Sequence, residues 1–161
     1  MSGKIEAETP EDRLTSLGLV LPPLPPAAGN YVGYVLTGNL LVISGQLARR
    51  ADGTLHTGHA GSVTVPLEAA QSAARTSALN ILAQAKSALG TLARIERVVR
   101  LNGFIQATAQ FKDHAQVMNG ASGLIADVLG PAGVHTRIAV GAHSLPLDSL
   151  TEIDAVIAVK A

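Results

Sequence analysis

The chain has 161 residues, with 12 basic and 12 acidic side chains, no cysteine, and 47% hydrophobic against 15% charged residues. A formal net charge of zero supplies no field to draw in nucleic acid or anionic lipid, and the missing cysteine excludes disulfides, thiolate nucleophiles and zinc–thiolate sites. No apolar run approaches the roughly 20 residues of a membrane span and the first residues lack a signal-peptide core, so the expectation is a cytoplasmic protein without membrane contact. A chain this poor in charge is also expected to cover apolar surface by self-association.

Thr9-Pro10-Glu11-Asp12 predicts a helix start: Thr9 caps, Pro10 suits the first turn, and the acids favour the positive helix end. Gly18 predicts its stop. Leu21-Pro22-Pro23-Leu24-Pro25-Pro26 forbids helix and central strand and reads as an extended, surface-hugging connector. Residues 1–28 are therefore expected to be a helical extension with a Pro-rich connector, ahead of a domain over 29–161.

In that domain, 31–36 and 40–44 read as two strands around the turn Thr37-Gly38-Asn39. The stretch 49–62, rich in glycine, reads as a loop or a loose hairpin. Leu67, Ala70, Ala74, Ala78, Ile81, Leu82, Ala85 and Leu89 recur at helical spacing and predict a helix over 66–88, ended by Gly90. A long strand is expected over 95–108, irregular at Asn102-Gly103. A second helix over 113–129, weakened by Gly120 and Gly123, stops at Gly130-Pro131. Strands over 137–142 and 151–160 complete the order hairpin, helix, strand, helix, strand, strand, which suits an α+β mixed sheet with two helices on one face. In the last strand Ile153, Ala155, Ile157 and Val159 share the face expected under the helices. Glu152, Asp154, Val156, Ala158 and Lys160 share the other, where Val156 and Ala158 point to a partner subunit.

Arg137 stands in the apolar run Arg-Ile-Ala-Val, and a partly buried Arg asks for an anion, from the protein or from a ligand. A hairpin centred on Pro146-Leu147 would set it near Val156. Arg94, Arg97 and Arg100 read as a solvated edge that discourages strand-to-strand aggregation. His56 and His59, three apart, lack a fixed third ligand. The sequence therefore predicts no metal site, and no Walker loop or dinucleotide fingerprint is present.

Three segments give the chain its resemblance to a known family. They are Gly29-Asn30-Tyr31-Val32 with Ser44-Gly45-Gln46; the long helix, the strand around 100–105 and Phe111-Lys112-Asp113; and Arg137 through Leu145-Pro146 to Glu152-Ile153-Asp154-Ala155. Over residues 29–160 the chain resembles the Rid family, also called YjgF-like or L-PSP endoribonuclease-like, in a longer and less characterised subgroup.

The resemblance implies a chorismate-mutase-like fold, a homotrimer with clefts between subunits, and no cofactor. It further implies hydrolytic deamination of reactive 2-imino and enamino acids to a 2-oxo acid and ammonia. Carried over by residue, Arg137 would fork onto the substrate carboxylate and Glu152 would position water. Tyr31 would close the pocket, Gly45 would let backbone approach the ligand, and Asn119 would stand near the site. A Glu beside a cation has a lowered pKa, so Glu152 would orient water more than remove its proton.

Ala139 replaces the small polar residue or cysteine of the deaminase branch, Ile138 follows the Arg, and Asn30 replaces a proline. These departures support carboxylate binding better than imine hydrolysis, and keep a non-catalytic carboxylate binder as the alternative. Zero net charge and few aromatics argue against a ribonuclease and make nucleic acid an unlikely partner.

Overall fold

In the computed structural model, which describes residues 8–26 and 29–161, the last strand in chain order occupies the middle of the sheet. Residues 1–7 and 27–28 of the expected extension and connector lie outside the described residues. The elements are α1 (Pro10–Ser16), β1 (Tyr34–Thr37), β2 (Leu40–Leu47), α2 (Leu67–Leu89), β3 (Ile95–Gln106), α3 (His114–Leu129), β4 (Thr136–Ala142) and β5 (Thr151–Val159). The strand order is β1-β2-β5-β3-β4, with β3 and β4 parallel and every other pair antiparallel. This is the expected α+β mixed sheet, with α2 and α3 on one face.

The last two strands, β4 and β5, do not pair as a hairpin. A parallel pair needs a long crossover, and α3 supplies it, returning the chain so that β4 runs alongside β3. β5 then enters between β2 and β3. Its alternation explains why it suits the centre: Ile153, Ala155, Ile157 and Val159 are buried under the helices, while Val156 and Ala158 are half-buried on the opposite face. Arg137 therefore pairs with Leu101, which in turn pairs with Ala155, and β4 is a sheet edge.

Three further expectations are corrected. β3 is regular at Asn102-Gly103; its register shifts fall between Ile95 and Arg97 and between Val98 and Arg100. Gly103 instead makes room for the Met118 thioether, which an added methyl group would strike. β1 starts at Tyr34, so Tyr31 precedes it, while β2 runs on to Leu47 after a bulge between Ile43 and Gln46.

Thr9 forms a full capping box with Asp12, as its spacing predicts. α1 then docks through Leu14, which is buried, and through two polar clamps. Glu11 accepts from Leu92 N–H at 2.7 Å and from Thr91 Oγ at 3.0 Å, and Arg13 Nη1 donates to the Val128 carbonyl at 2.8 Å. The connector that follows keeps Leu19 and Leu21 against the core.

The helix-bearing face is aliphatic, built on Leu41, Ile43, Leu101, Ile105, Ile153 and Ile157 under the alanine-rich side of α2. Among the described residues no helix covers the opposite face. There Val35, Leu40, Val42 and Val140 are exposed beside Val156 and Phe104. Four valine and leucine side chains on one bare sheet face form the kind of apolar patch that marks an interaction surface.

The two glycines of α3 have unlike reasons. At Gly120 the backbone of α2 comes so close that a β-carbon would strike the Gln71 carbonyl, whereas nothing approaches Gly123. Gly120→Ala is expected to destabilise by about 1–3 kcal/mol, as overpacking does. Gly123→Ala is expected to stabilise by roughly 0.5–1 kcal/mol through helix propensity. Urea unfolding of the two variants checks both signs.

Candidate functional site

Arg137 points from edge strand β4 toward α3. Its Nη1 donates to Ser122 Oγ at 2.9 Å, and its Nη2 donates to Asn119 Oδ1 at 2.9 Å and to the Ala115 carbonyl at 3.1 Å. The helical spacing of 115, 119 and 122 puts these three acceptors on one side of α3. Ser122 is itself oriented. His135 Nδ1 donates to the Gly133 carbonyl, which fixes Nε2 as acceptor of the Ser122 hydroxyl, and the Ser122 lone pairs are left for Arg137.

All three partners of the guanidinium are neutral. No carboxylate among the described residues pairs with it, since the ion pairs there join Arg13 with Glu8 and Lys86 with Glu11. Three of the five guanidinium N–H groups are spent and the charge is uncompensated. The geometry orients a half-buried cation at a sheet edge and leaves it an anion to find.

Glu152 lies on the bare face of β5, opposite Phe104 of β3 and Leu47 of β2. Its carboxylate covers Gly45, where any β-carbon would strike Glu152 Oε1. Glycine at the β2 bulge thus leaves the space that the Glu152 carboxylate occupies. Burial, and then the charge of Asp154, hold the Glu152 carboxyl above its ordinary range. Among the described residues no cation stands beside it, so the expected lowering is reversed here. Asp154 is itself held by Asn102 Nδ2 at 2.7 Å, and Asn102 Oδ1 accepts from Arg100 Nε at 2.7 Å.

Tyr31 is 57% exposed and shares a cavity of about 330 Å3 with Gly45. Leu24, Pro25 and Pro26 of the connector, Asn80 and Gln84 of α2, and Leu147 also line it. Gly33 is another close-approach glycine, because the Gln84 amide fills the space of its side chain.

The predicted residues therefore fall into two groups. Arg137 and Asn119 meet on the helix side at one edge of the sheet; Glu152, Gly45 and Tyr31 gather toward the other edge. Arg137 and Glu152 lie on opposite faces, two strands apart, with Cα atoms about 14 Å from each other by strand spacing and rise. Within one chain they do not converge. The histidines do not converge either: His56 bridges Arg50 and Thr76, and His59 donates to the His143 carbonyl. Burial and Arg50 hold the His56 pKa low, so its ring acts as a neutral brace.

Sequence reading missed Ser122, His135 and Leu147. Ser122 was findable, because it follows Asn119 by one helical step; His135 and Leu147 gave no periodic signal.

The family described as YjgF/chorismate mutase-like, putative endoribonuclease, matches residues 11–158. The chain is 41% identical over 157 residues to Protein TCP17 of Trypanosoma cruzi, covering 97% of this chain and 94% of that one. A solved protein of Shewanella oneidensis is 34% identical, with a TM-score of 0.89 over 94% of this chain and 99% of its own. E. coli TdcF, solved with bound serine, is 26% identical, with a TM-score of 0.59 over 85% of this chain and 93% of its own. No helix among the described residues is long and apolar enough to cross a membrane.

A carboxyl whose pKa is raised on folding makes the folded chain bind a proton more readily than the unfolded one. Its stability contribution is full below the ordinary glutamate value and is lost as pH rises through the raised one. Glu152→Gln, which mimics the protonated state, is expected to raise the melting temperature at pH 7–8. The gain should vanish below about pH 4. Thermal melts of both proteins across that range check the sign.

Proposed function

The chain belongs to the YjgF/chorismate mutase-like family, and from that premise we propose that it hydrolyses reactive 2-imino and enamino acids to a 2-oxo acid and ammonia. The observation that carries this reading is Arg137: an oriented guanidinium, held by neutral acceptors only, is built to receive a carboxylate. The serine bound by E. coli TdcF, which carries a carboxylate beside a C–N bond, supports the same ligand class.

The two groups of residues meet only if a neighbour supplies one of them. A homotrimer, packed through the bare faces of the sheets, makes a cleft in which Arg137 and Asn119 of one subunit face Glu152, Gly45 and Tyr31 of the next. Arg137 grips the substrate carboxylate and so fixes the imine carbon, converting hydrolysis into a positioned reaction with one water. An enamine first takes a proton at carbon to become the imine.

Water adds its oxygen to C2 and gives a proton to the nitrogen. The C–N bond then breaks as the new hydroxyl closes to a carbonyl, and ammonia leaves. Glu152 is the group that holds the water and relays the proton. Tyr31 closes the pocket. A second reading, a carboxylate binder without turnover, is favoured by Ala139, which offers no functional group on the same face of β4 as Arg137.

The direct test is ammonia and 2-oxo acid release from imino acids generated in situ by an amino-acid oxidase, after subtraction of spontaneous decay. Arg137→Ala is expected to lower kcat/KM about 100-fold, the scale of removing one partner from a desolvated charge pair. Unchanged decay with the wild type refutes the deaminase. Binding of the 2-oxo acid without turnover supports the second reading.

Assembly is tested by light scattering. The expected mass is about 50 kDa, three times the 16.5 kDa chain, and Val42→Asp on the bare face is expected to lower it to that of one chain.

A further inference from the structure

The cavity beside Gly45 holds information about the substrate that Arg137 and Glu152 do not. It lies where β1 has stopped and the bulged edge of β2 continues, and the connector closes it with Leu24, Pro25 and Pro26. At about 330 Å3 it is at the small end of ligand pockets, a size for an amino-acid-like molecule and not for a peptide or an oligonucleotide.

The amides of its polar floor are turned to the protein. Asn80 Nδ2 serves the carbonyls of Leu47, Arg49 and Thr76; Gln46 Nε2 serves the Ser44 carbonyl at 2.9 Å; Gln84 Nε2 is turned to Gln46 Oε1. Arg49 donates outward to the Gly53 carbonyl at 2.8 Å. The other N–H groups of Arg49 are left for a polar end of a ligand, and the apolar wall is what meets its side chain.

Leu147 is the second observation. It sits at the cavity with φ 56 and ψ 27, followed by Asp148 at φ 59, and it is 68% exposed. A left-handed backbone is costly for a leucine, and an exposed leucine gains little from burial. The turn is nevertheless pinned from below. Buried Gln106 accepts from Leu145 N–H at 2.7 Å and donates to Asp148 Oδ1 and to the Gly58 carbonyl. Strained backbone of this kind clusters at ligand-binding and switch regions.

We propose that Leu24, Pro25, Pro26, Tyr31 and Leu147 form a side-chain subsite of the same cleft, selecting substrates with an aliphatic side chain of about leucine size over those with a methyl group. This rests on the deaminase reading, because Tyr31 and Gly45 belong to both.

The test is calorimetric binding of 4-methyl-2-oxopentanoate against pyruvate, paralleled by deamination of the leucine- and alanine-derived imino acids. The proteins are the wild type, Leu147→Gly, which keeps the left-handed turn and removes the side chain, and Leu24→Ala. The wild type is expected to prefer the larger ligand by about tenfold or more, the scale of a few methylenes in an apolar pocket. Each variant should narrow that ratio severalfold.

A ratio near one in the wild type, or one kept intact in both variants, overturns the subsite whatever the enzyme turns over. Discrimination in binding with no deamination of either substrate leaves the subsite standing and removes the deaminase reading. Turnover without discrimination does the reverse.

Discussion

The insertion of β5 between β2 and β3 is the constraint on which the rest depends. A strand that is apolar under the helices and half-apolar on the far face takes the centre and pushes β4 to the edge. Arg137 is thereby placed on a rim, reachable from outside, while Glu152 stands on the bare face at the start of the central strand. The two opposite charges are separated by two strands and lie on opposite faces of the sheet. Each keeps the state its surroundings give it: a guanidinium without an anion, and a carboxyl raised by burial and by Asp154.

Neutral partners are what make the Arg137 arrangement useful. A protein carboxylate in place of Asn119 would satisfy the charge and compete with any ligand, whereas an amide, a hydroxyl and a backbone carbonyl orient the fork and leave its charge intact. The Gly133–His135–Ser122 relay extends the same logic one step back, since it decides which way the Ser122 lone pairs point.

Most of the elements were legible in the sequence because their signals are periodic or punctuated. The heptad-like spacing along α2, the period of two in β5 and the Thr9–Asp12 capping box each state their structure locally. Strand order was not legible: a short connection over 143–150 suggests a hairpin, and only the competition for the central slot decides otherwise.

Gly120 and Gly103 read as weak points from propensity, yet they are contact points, because the neighbour that needs the space lies far off in sequence. The site was legible by residue and not by arrangement. Arg137, Glu152, Tyr31, Gly45 and Asn119 follow from motif and resemblance, but which of them touch depends on faces and register. Leu147 carries no sequence signal, because a left-handed leucine is chosen by the turn around it.

The central position of the last-made strand also orders the assembly of the fold. Until β5 is in place, β1–β2 and β3–β4 are two separate ladders, each with an open edge and an apolar face. Their union depends on contacts made across more than 100 residues of chain, such as Leu41 with Ile157. Such distant pairings are slow to find, and unpaired edges recruit strands from other molecules meanwhile. Arg97 and Arg100 lie on the β3 edge that β5 covers and put charge where stray pairing would otherwise begin.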